Sequence, residues 1–230
     1  TGAAAGRRLP DRQQMGMMVC VAVLCSACYA NSLHSSFVYD DGIAIAKNKD
    51  VTGNSTLSSL LIHDFWGQDL HNETSHKSYR PLATLTFRLL WAFQPGSAVP
   101  FHMACLAAHA LTSSLTGLLC FSILQLSYSR HTSFWASLWC IALFATHPVH
   151  TEAVSNVVSL CEVQSAALSL SSFLLYLQAQ SSSSLPHSFA ATSGSLLLLA
   201  CSVLSKETGL TLTGIFTAYD AMALLAPVGA

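Results

Sequence analysis

Two adjacent carboxylates, Asp40 and Asp41, close the run Phe37-Val38-Tyr39-Asp40-Asp41 just after the first apolar stretch of a 230-residue chain. A carboxylate in a half-dry pocket near opposite charge can take the proton of an incoming hydroxyl as that hydroxyl attacks. Its neighbour could orient the hydroxyl or bind a metal. Chemistry alone does not choose between Asp40 and Asp41, and capping of a helix that begins near Gly42 would account for the pair equally simply. Lys206-Glu207, at the end of a later apolar run, offers a point charge for an anion such as phosphate. Arg80, before Pro81, offers a second. His147-Pro148-Val149-His150-Thr151-Glu152 adds imidazoles and a carboxylate suited to hydrogen bonding with a substrate or with the Asp40-Asp41 segment. No metal is assigned there, because Pro148 breaks helical spacing and no fourth ligand is close in sequence.

The elements that position these groups are apolar helices. Charged residues make up 9% of the chain, hydrophobic residues 52%, and the mean hydropathy is +0.48, far from the roughly 25% charge of a soluble domain. This is the composition of a membrane protein. The net charge of −1 and the lack of a basic block exclude nucleic acid as a partner. The eight cysteines lie in or beside apolar segments, which argues against a disulfide framework. Cys25 and Cys28, inside an apolar run, read as small hydrophobes and not as a redox pair.

Taken in order, 1–14 reads as a cytosolic N-terminus and 15–34 as a first transmembrane helix or signal anchor, with Arg7, Arg8 and Arg12 on its cytosolic flank. A cleaved signal peptide with Cys28-Tyr29-Ala30 as its small-residue site is the other reading. Both send 35–100 into the lumen as one long loop. Two sequons support that side, with Asn54 (Asn54-Ser55-Thr56) and Asn72 (Asn72-Glu73-Thr74) as N-glycosylation acceptors. Within the loop, Thr56 to Trp66 and Pro81 to Phe93 read as two short amphipathic helices. Residues 101–226 hold further spans: Phe101 to Leu126, a short Phe134 to Thr146, Val163 to Gln178, Ser188 to Ser205 and Gly209 to about Ala226. The total is about six transmembrane helices, an all-α polytopic membrane protein. This count places Asp40-Asp41, His147 to Glu152 and Lys206-Glu207 on one face, and ionisable groups gathered at a membrane boundary form a site by default. Asp220, in the last apolar run, receives no role.

With these residues in hand a resemblance is evident. Phe37-Val38-Tyr39-Asp40-Asp41, Asp64-Phe65-Trp66-Gly67, Ser75-His76-Lys77-Ser78-Tyr79-Arg80-Pro81-Leu82, Thr84-Leu85-Thr86-Phe87-Arg88, His147 to Val154 and Lys206-Glu207-Thr208-Gly209 resemble, in order and spacing, the transmembrane and tetratricopeptide-repeat (TMTC) protein O-mannosyltransferases. The Asn-Glu-Thr-Ser-His-Lys run looks closest to that family's first paralogue. The resemblance implies the N-terminal part of a glycosyltransferase C type fold in the endoplasmic reticulum membrane. It implies transfer of mannose from dolichyl phosphate mannose to Ser or Thr of secretory-pathway proteins such as cadherin-type domains. An acidic residue of the first lumenal loop, Asp40 or Asp41, is then the base. Arg80, His147, His150, Glu152, Glu162, Lys206 and Glu207 are the donor- or substrate-binding set. No cofactor is implied beyond the lipid-linked donor, and a divalent metal is left open.

Two departures stand out. Where the family carries Gly-Arg-Ala-Asp, the chain reads Ser159-Leu160-Cys161-Glu162, so the arginine is replaced by Leu160 and the aspartate by Glu162. The chain also begins at Thr1 and stops before the family's later spans and repeat array, and is expected to be a portion of a longer protein. The alternative from another class is a non-catalytic polytopic scaffold, or truncated pseudoenzyme, of the same ancestry.

Overall fold

A computed structural model describes residues 9–225; Arg7, Arg8 and Ala226, assigned above to the ends of spans, lie outside the described residues. Helix α1 (Arg12–Ser26) starts from a capping box in which Asp11 accepts from the Gln14 N–H and the Gln14 side chain accepts from the Asp11 N–H. It tightens into a 3-10 stretch, Ala27–His34. The loop follows, carrying a π-helical turn (Gly42–Ala46), the short α2 (Lys49–Thr52) and α3 (Pro81–Phe93). Next come α4 (Val99–Leu124), α5 (Arg130–Thr146), the short α6 (Thr151–Ser155), α7 (Leu160–Ser181), α8 (Leu185–Ser205) and α9 (Leu212–Leu225).

Among the described residues, four helical stretches are long and apolar enough to cross a membrane: Arg12–His34, Val99–Leu124, Val157–Ser181 and Leu185–Ser205. The two remaining expected spans are shorter. Helix α5 has 17 residues and so rises about 25 Å, somewhat less than the hydrocarbon core, and α9 has 14 described residues. Helix α5 nevertheless packs as part of the bundle: Met18 and Ala22 of α1, Phe121 of α4, and Phe134, Leu138 and Ile141 of α5 form one core. Gly117 is required there, since a Cβ would run into the Ile141 side chain. No solved structure matches the chain.

The loop is a compact layer at one end of the bundle. Ile45, Val51, Phe65, Phe87 and Phe101 build its core together with Leu160 and Cys161 from the start of α7. Pro81 opens α3 at the first turn, where its missing N–H costs nothing, and the helix ends at Phe93 as its spacing predicts. The helix expected over Thr56 to Trp66 does not form. Only a 3-10 turn, Leu57–Leu61, is present, followed by an isolated bridge between His63 and Asp69. The reason is Asp64, whose carboxylate accepts from the N–H groups of Trp66, Gln68 and His76 and from the Ser75 hydroxyl at 2.6–3.1 Å. That carboxylate offers the backbone partners that a helix would otherwise supply.

In the bundle, α7 and α8 form an antiparallel hairpin closed by serines. The Ser172 and Ser195 hydroxyls each donate to the other's carbonyl, at 2.7 and 2.8 Å. Ser165 and Ser202 do the same at 3.1 and 2.9 Å. Such hydroxyls let backbones approach closely and hold the hairpin where no water can compete. Asp220, unassigned from sequence, accepts from the Tyr176 hydroxyl at 2.6 Å and Gln180 at 3.4 Å, pinning α9 to α7 beside stacked Tyr176 and Phe216.

Candidate active site

The two aspartates separate at once. Asp41 is wholly buried, with 0% exposure, and its carboxylate accepts from the Val38 N–H at 2.9 Å and, across the fold, from the Val158 N–H at 3.0 Å. It is a strut joining the loop to the start of α7. Neither aspartate caps the turn at Gly42 through its side chain, so the capping explanation fails. Asp40 is exposed and its carboxylate takes no hydrogen bond among the described residues, although its carbonyl accepts from Ile43 and Ala44. Tyr39 before it holds φ of 44°, an uncommon and strained value for a bulky residue, which turns the segment outward at Asp40.

Burial pushes the Asp41 carboxyl up from its ordinary value, and Asp40 adds to this; the two N–H donors and His102 only partly oppose the rise. His102, near the start of α4, is buried with neither ring nitrogen in hydrogen-bond geometry.

Four of the charged residues, Arg80, Glu207, Lys206 and Glu162, engage one another as ion pairs. Arg80 reaches from the loop to Glu207, with Nε at 3.0 Å and Nη2 at 2.9 Å from the same carboxylate oxygen. Its guanidinium lies 5.0 Å from the Phe65 ring centre and its other amine is 3.7 Å from the Cys161 sulfur. Lys206 pairs with Glu162. Each cation is the buried partner: Arg80 and Lys206 are 19% and 18% exposed, Glu207 and Glu162 50% and 47%. Burial opposes the charge on Arg80, but Glu207 more than restores it. Conversely, burial would raise Glu207, and Arg80 outweighs it, holding the carboxyl below its ordinary value. Leu160 points into the loop core at 2% exposure, and the ion pairs hold two cations and two carboxylates.

Below the Lys206–Glu162 pair opens a cavity of about 530 Å³ between α4, α7 and the 3-10 turn Glu207–Thr211, reached by His109, His150, Glu162, Thr208 and Gly209. Gly209 is needed for close approach, because a Cβ would strike the Ser202 backbone. The His150 ring packs against Phe144, tilted by 42° with ring centres 4.3 Å apart. Burial, then the neighbouring His109 and His147, hold it below the ordinary imidazole value, so it is neutral at pH 7.

The other expected residues stand apart. His147 is exposed and its Nδ1 accepts from the Val149 N–H at 3.1 Å, while its carbonyl accepts from the Tyr29 hydroxyl at 2.7 Å. Its role is to shape the chain after α5. The Glu152 side chain is exposed and makes no hydrogen bond or ion pair among the described residues. Asn54 and Asn72 are both exposed, as modification requires. Sequence reasoning missed His102, His109 and Cys161. The first two were visible as ionisable residues in an apolar helix, a costly placement that signals use.

Comparison with known proteins decides the ancestry. No family model matches. The human protein O-mannosyl-transferase TMTC3 is 39% identical over 197 residues, 85% of this chain and 20% of the relative. Human TMTC4 is 38% identical over 86% of this chain and 28% of the relative. Human TMTC1 is 34% identical over 95% and 26%. The chain belongs to the TMTC family. Identities of 39, 38 and 34% to three TMTC paralogues do not single out the first of them. The chain spans between a fifth and somewhat over a quarter of the length of these TMTC relatives.

Proposed function

We propose that this chain is the N-terminal membrane part of a protein O-mannosyltransferase of the endoplasmic reticulum, with a glycosyltransferase C type fold, that uses dolichyl phosphate mannose as donor. Its acceptors are Ser or Thr hydroxyls of secretory-pathway proteins such as cadherin-type domains. Asp40 is the base. The observation that carries this assignment is the division between the aspartates: Asp41 spends both oxygens on backbone N–H groups, which leaves Asp40 as the unengaged carboxylate on a segment braced by Asp41.

In the reaction, Asp40 takes the proton of the acceptor hydroxyl as its oxygen bonds to the anomeric carbon, and the bond from that carbon to the phosphate oxygen breaks. Single displacement inverts the anomeric configuration. Charge develops on the leaving phosphate, where Lys206 and Arg80 are fixed cations in a partly buried setting. The phosphate takes the places that the Glu162 and Glu207 carboxylates hold against these cations. His150, neutral, offers a hydrogen bond beside them. No other cofactor is invoked.

The test expresses the full-length parent in cells lacking related transferases and measures O-mannose on cadherin domains. Wild type restores mannose, and Asp40→Asn lowers it by about 10²–10⁴-fold with an unchanged melting temperature. Restoration by Asp40→Asn as complete as by wild type refutes the assignment. The second reading, a non-catalytic scaffold, draws on Leu160: without the arginine the charged cluster is neutral as a whole. Failure of the wild-type parent to restore mannose, followed by restoration in Leu160→Arg, would select it.

A further inference from the structure

Six polar side chains that line the cavity below the ion pairs share one hydrogen-bonding character. The Thr112 hydroxyl donates to the Ala108 carbonyl at 2.8 Å and the Thr116 hydroxyl to Thr112 at 2.9 Å. The Thr211 hydroxyl donates to Thr208 at 2.7 Å. In the α7–α8 hairpin, the Ser165 and Ser202 hydroxyls each donate to the other's carbonyl, so the 2.8 Å contact between Ser169 and Ser202 uses the Ser169 proton. His109 Nε2 lies 3.0 Å from the Ala145 carbonyl oxygen. A carbonyl only accepts, so the ring proton is on Nε2, and in the neutral ring Nδ1 carries a lone pair. All six of these cavity-lining side chains, Thr112, Thr116, Thr211, Ser165, Ser169 and His109, have spent their donor inside the protein. What they present is acceptor lone pairs.

Apart from His150, Glu162 and Thr208, the polar wall is made of uncharged acceptors, and such a wall discriminates. A phosphate at neutral pH is itself an acceptor and gains nothing there; its partners are Lys206 and Arg80 at the mouth. A polyhydroxylated ligand brings one donor per hydroxyl and satisfies the wall. Val163, Ala166 and Leu170 supply the apolar remainder, against which the C–H face of a sugar ring packs. The cavity volume of about 530 Å³ is within the range of about 300–1,000 Å³ of small-molecule pockets.

We propose that this cavity is the subsite for the uncharged sugar of the donor, selected by the committed hydroxyls of Thr112, Thr116, Ser165, Ser169 and Thr211 and by His109 Nδ1, with the phosphate held outside it. The proposal rests on the lipid-linked sugar donor of the preceding section and assigns its two halves to different places. Thr116 is a specificity-determining residue in this scheme.

The experiment measures binding of dolichyl phosphate mannose and of dolichyl phosphate to the purified full-length parent, unaltered and as Thr116→Val or Thr112→Val. Valine keeps the shape and removes the acceptor. Thr116 bonds only within its own helix, so Thr116→Val remains the arm to read if Thr112→Val fails to fold. Each substitution weakens the mannosylated lipid about tenfold, the effect of one lost hydrogen bond, and leaves dolichyl phosphate unchanged. Equal weakening of both lipids would place the isoprenoid tail in the cavity and overturn the proposal; no weakening of either would empty it of the donor. If the unaltered protein binds neither lipid, the donor reading falls and the subsite with it. If Lys206→Gln leaves both affinities intact while Thr116→Val selects against mannose, the phosphate assignment fails and the sugar subsite stands.

Discussion

Asp41 and Asp50 are both wholly buried, with 0% exposure, in the same loop layer, and the protein treats them in opposite ways. Asp50 sits in a knot of side chains: Ser55 at 2.5 Å, Ser59 at 2.8 Å and His63 at 2.8 Å all reach its carboxylate, and Arg88 holds the carbonyls of Asp50 and Ser55. Burial alone would raise its pKa, but those donors outweigh burial and hold the carboxyl below its ordinary value. Asp41 has two backbone N–H groups, no ion-pair partner and the negative Asp40 next to it, and burial keeps it above. The knot locks charge in place, whereas the strut holds a carboxyl reluctant to ionise directly behind an exposed one. A buried carboxylate is a fastener where side chains surround it, and a tuned neighbour where only backbone does.

Breaking the knot has the largest effect. Asp50→Ala removes the carboxylate that His63 pairs with and leaves the Ser55 and Ser59 hydroxyls only the Lys49 and Thr56 carbonyls; it is expected to destabilise the loop layer by about 3 kcal/mol, read as earlier thermal unfolding and faster proteolysis between residues 47 and 80. Asp41→Asn retains one acceptor oxygen and is expected to cost about 1–2 kcal/mol, with hydrogen exchange quickened at the Val158 amide and not at the amides around Asp50. A loss as large as that of Asp50→Ala would make the two sites equivalent and dissolve the contrast.

Their pH dependence sharpens it. Asp50, depressed in the folded state, gives stability that is complete above the ordinary carboxyl value of 3.8 and is lost as pH falls through its folded value. Asp41, raised in the folded state, gives stability that is complete below 3.8 and is lost as pH rises through its folded value. The melting-temperature difference between wild type and Asp41→Asn should therefore change above pH 3.8, and that for Asp50→Asn only below it. The smallest effect is expected in the bundle. Ser202→Ala removes one donor from the hairpin, at about 0.6 kcal/mol, the average for such bonds between membrane helices, and the loop-layer transitions stay where they were.

Much of this architecture was legible in the sequence. Apolar runs located each long helix, because within a bilayer the backbone must satisfy itself and only helices of sufficient length do so. Counting spans placed Lys206-Glu207 on the same side as the loop that holds Arg80, whereas Glu162 entered only through the family resemblance. That these would pair Arg80 with Glu207 and Lys206 with Glu162 was not legible, since Arg80 and Glu207 are 127 positions apart and no periodicity links them. Asp40 and Asp41 could not be told apart because adjacency gives no orientation; the Val158 N–H that claims Asp41 comes from a distant segment. The helix expected over Thr56 to Trp66 was misread for a related reason. Leu57, Leu60, Leu61 and Phe65 have helical spacing, but Asp64 captures the following N–H groups through its side chain, and a pattern of apolar residues does not register such competition.

The serine pairing of α7 with α8 bears on how the chain enters its membrane. Within this hairpin Ser165, Ser172, Ser195 and Ser202 find their partners in the pair itself, and exposed Phe189, Leu196 and Leu197 face outward. Two helices joined by the short link from Ser182 to Ser184, polar within and apolar without, can leave the insertion machinery together as one unit before any other span has docked.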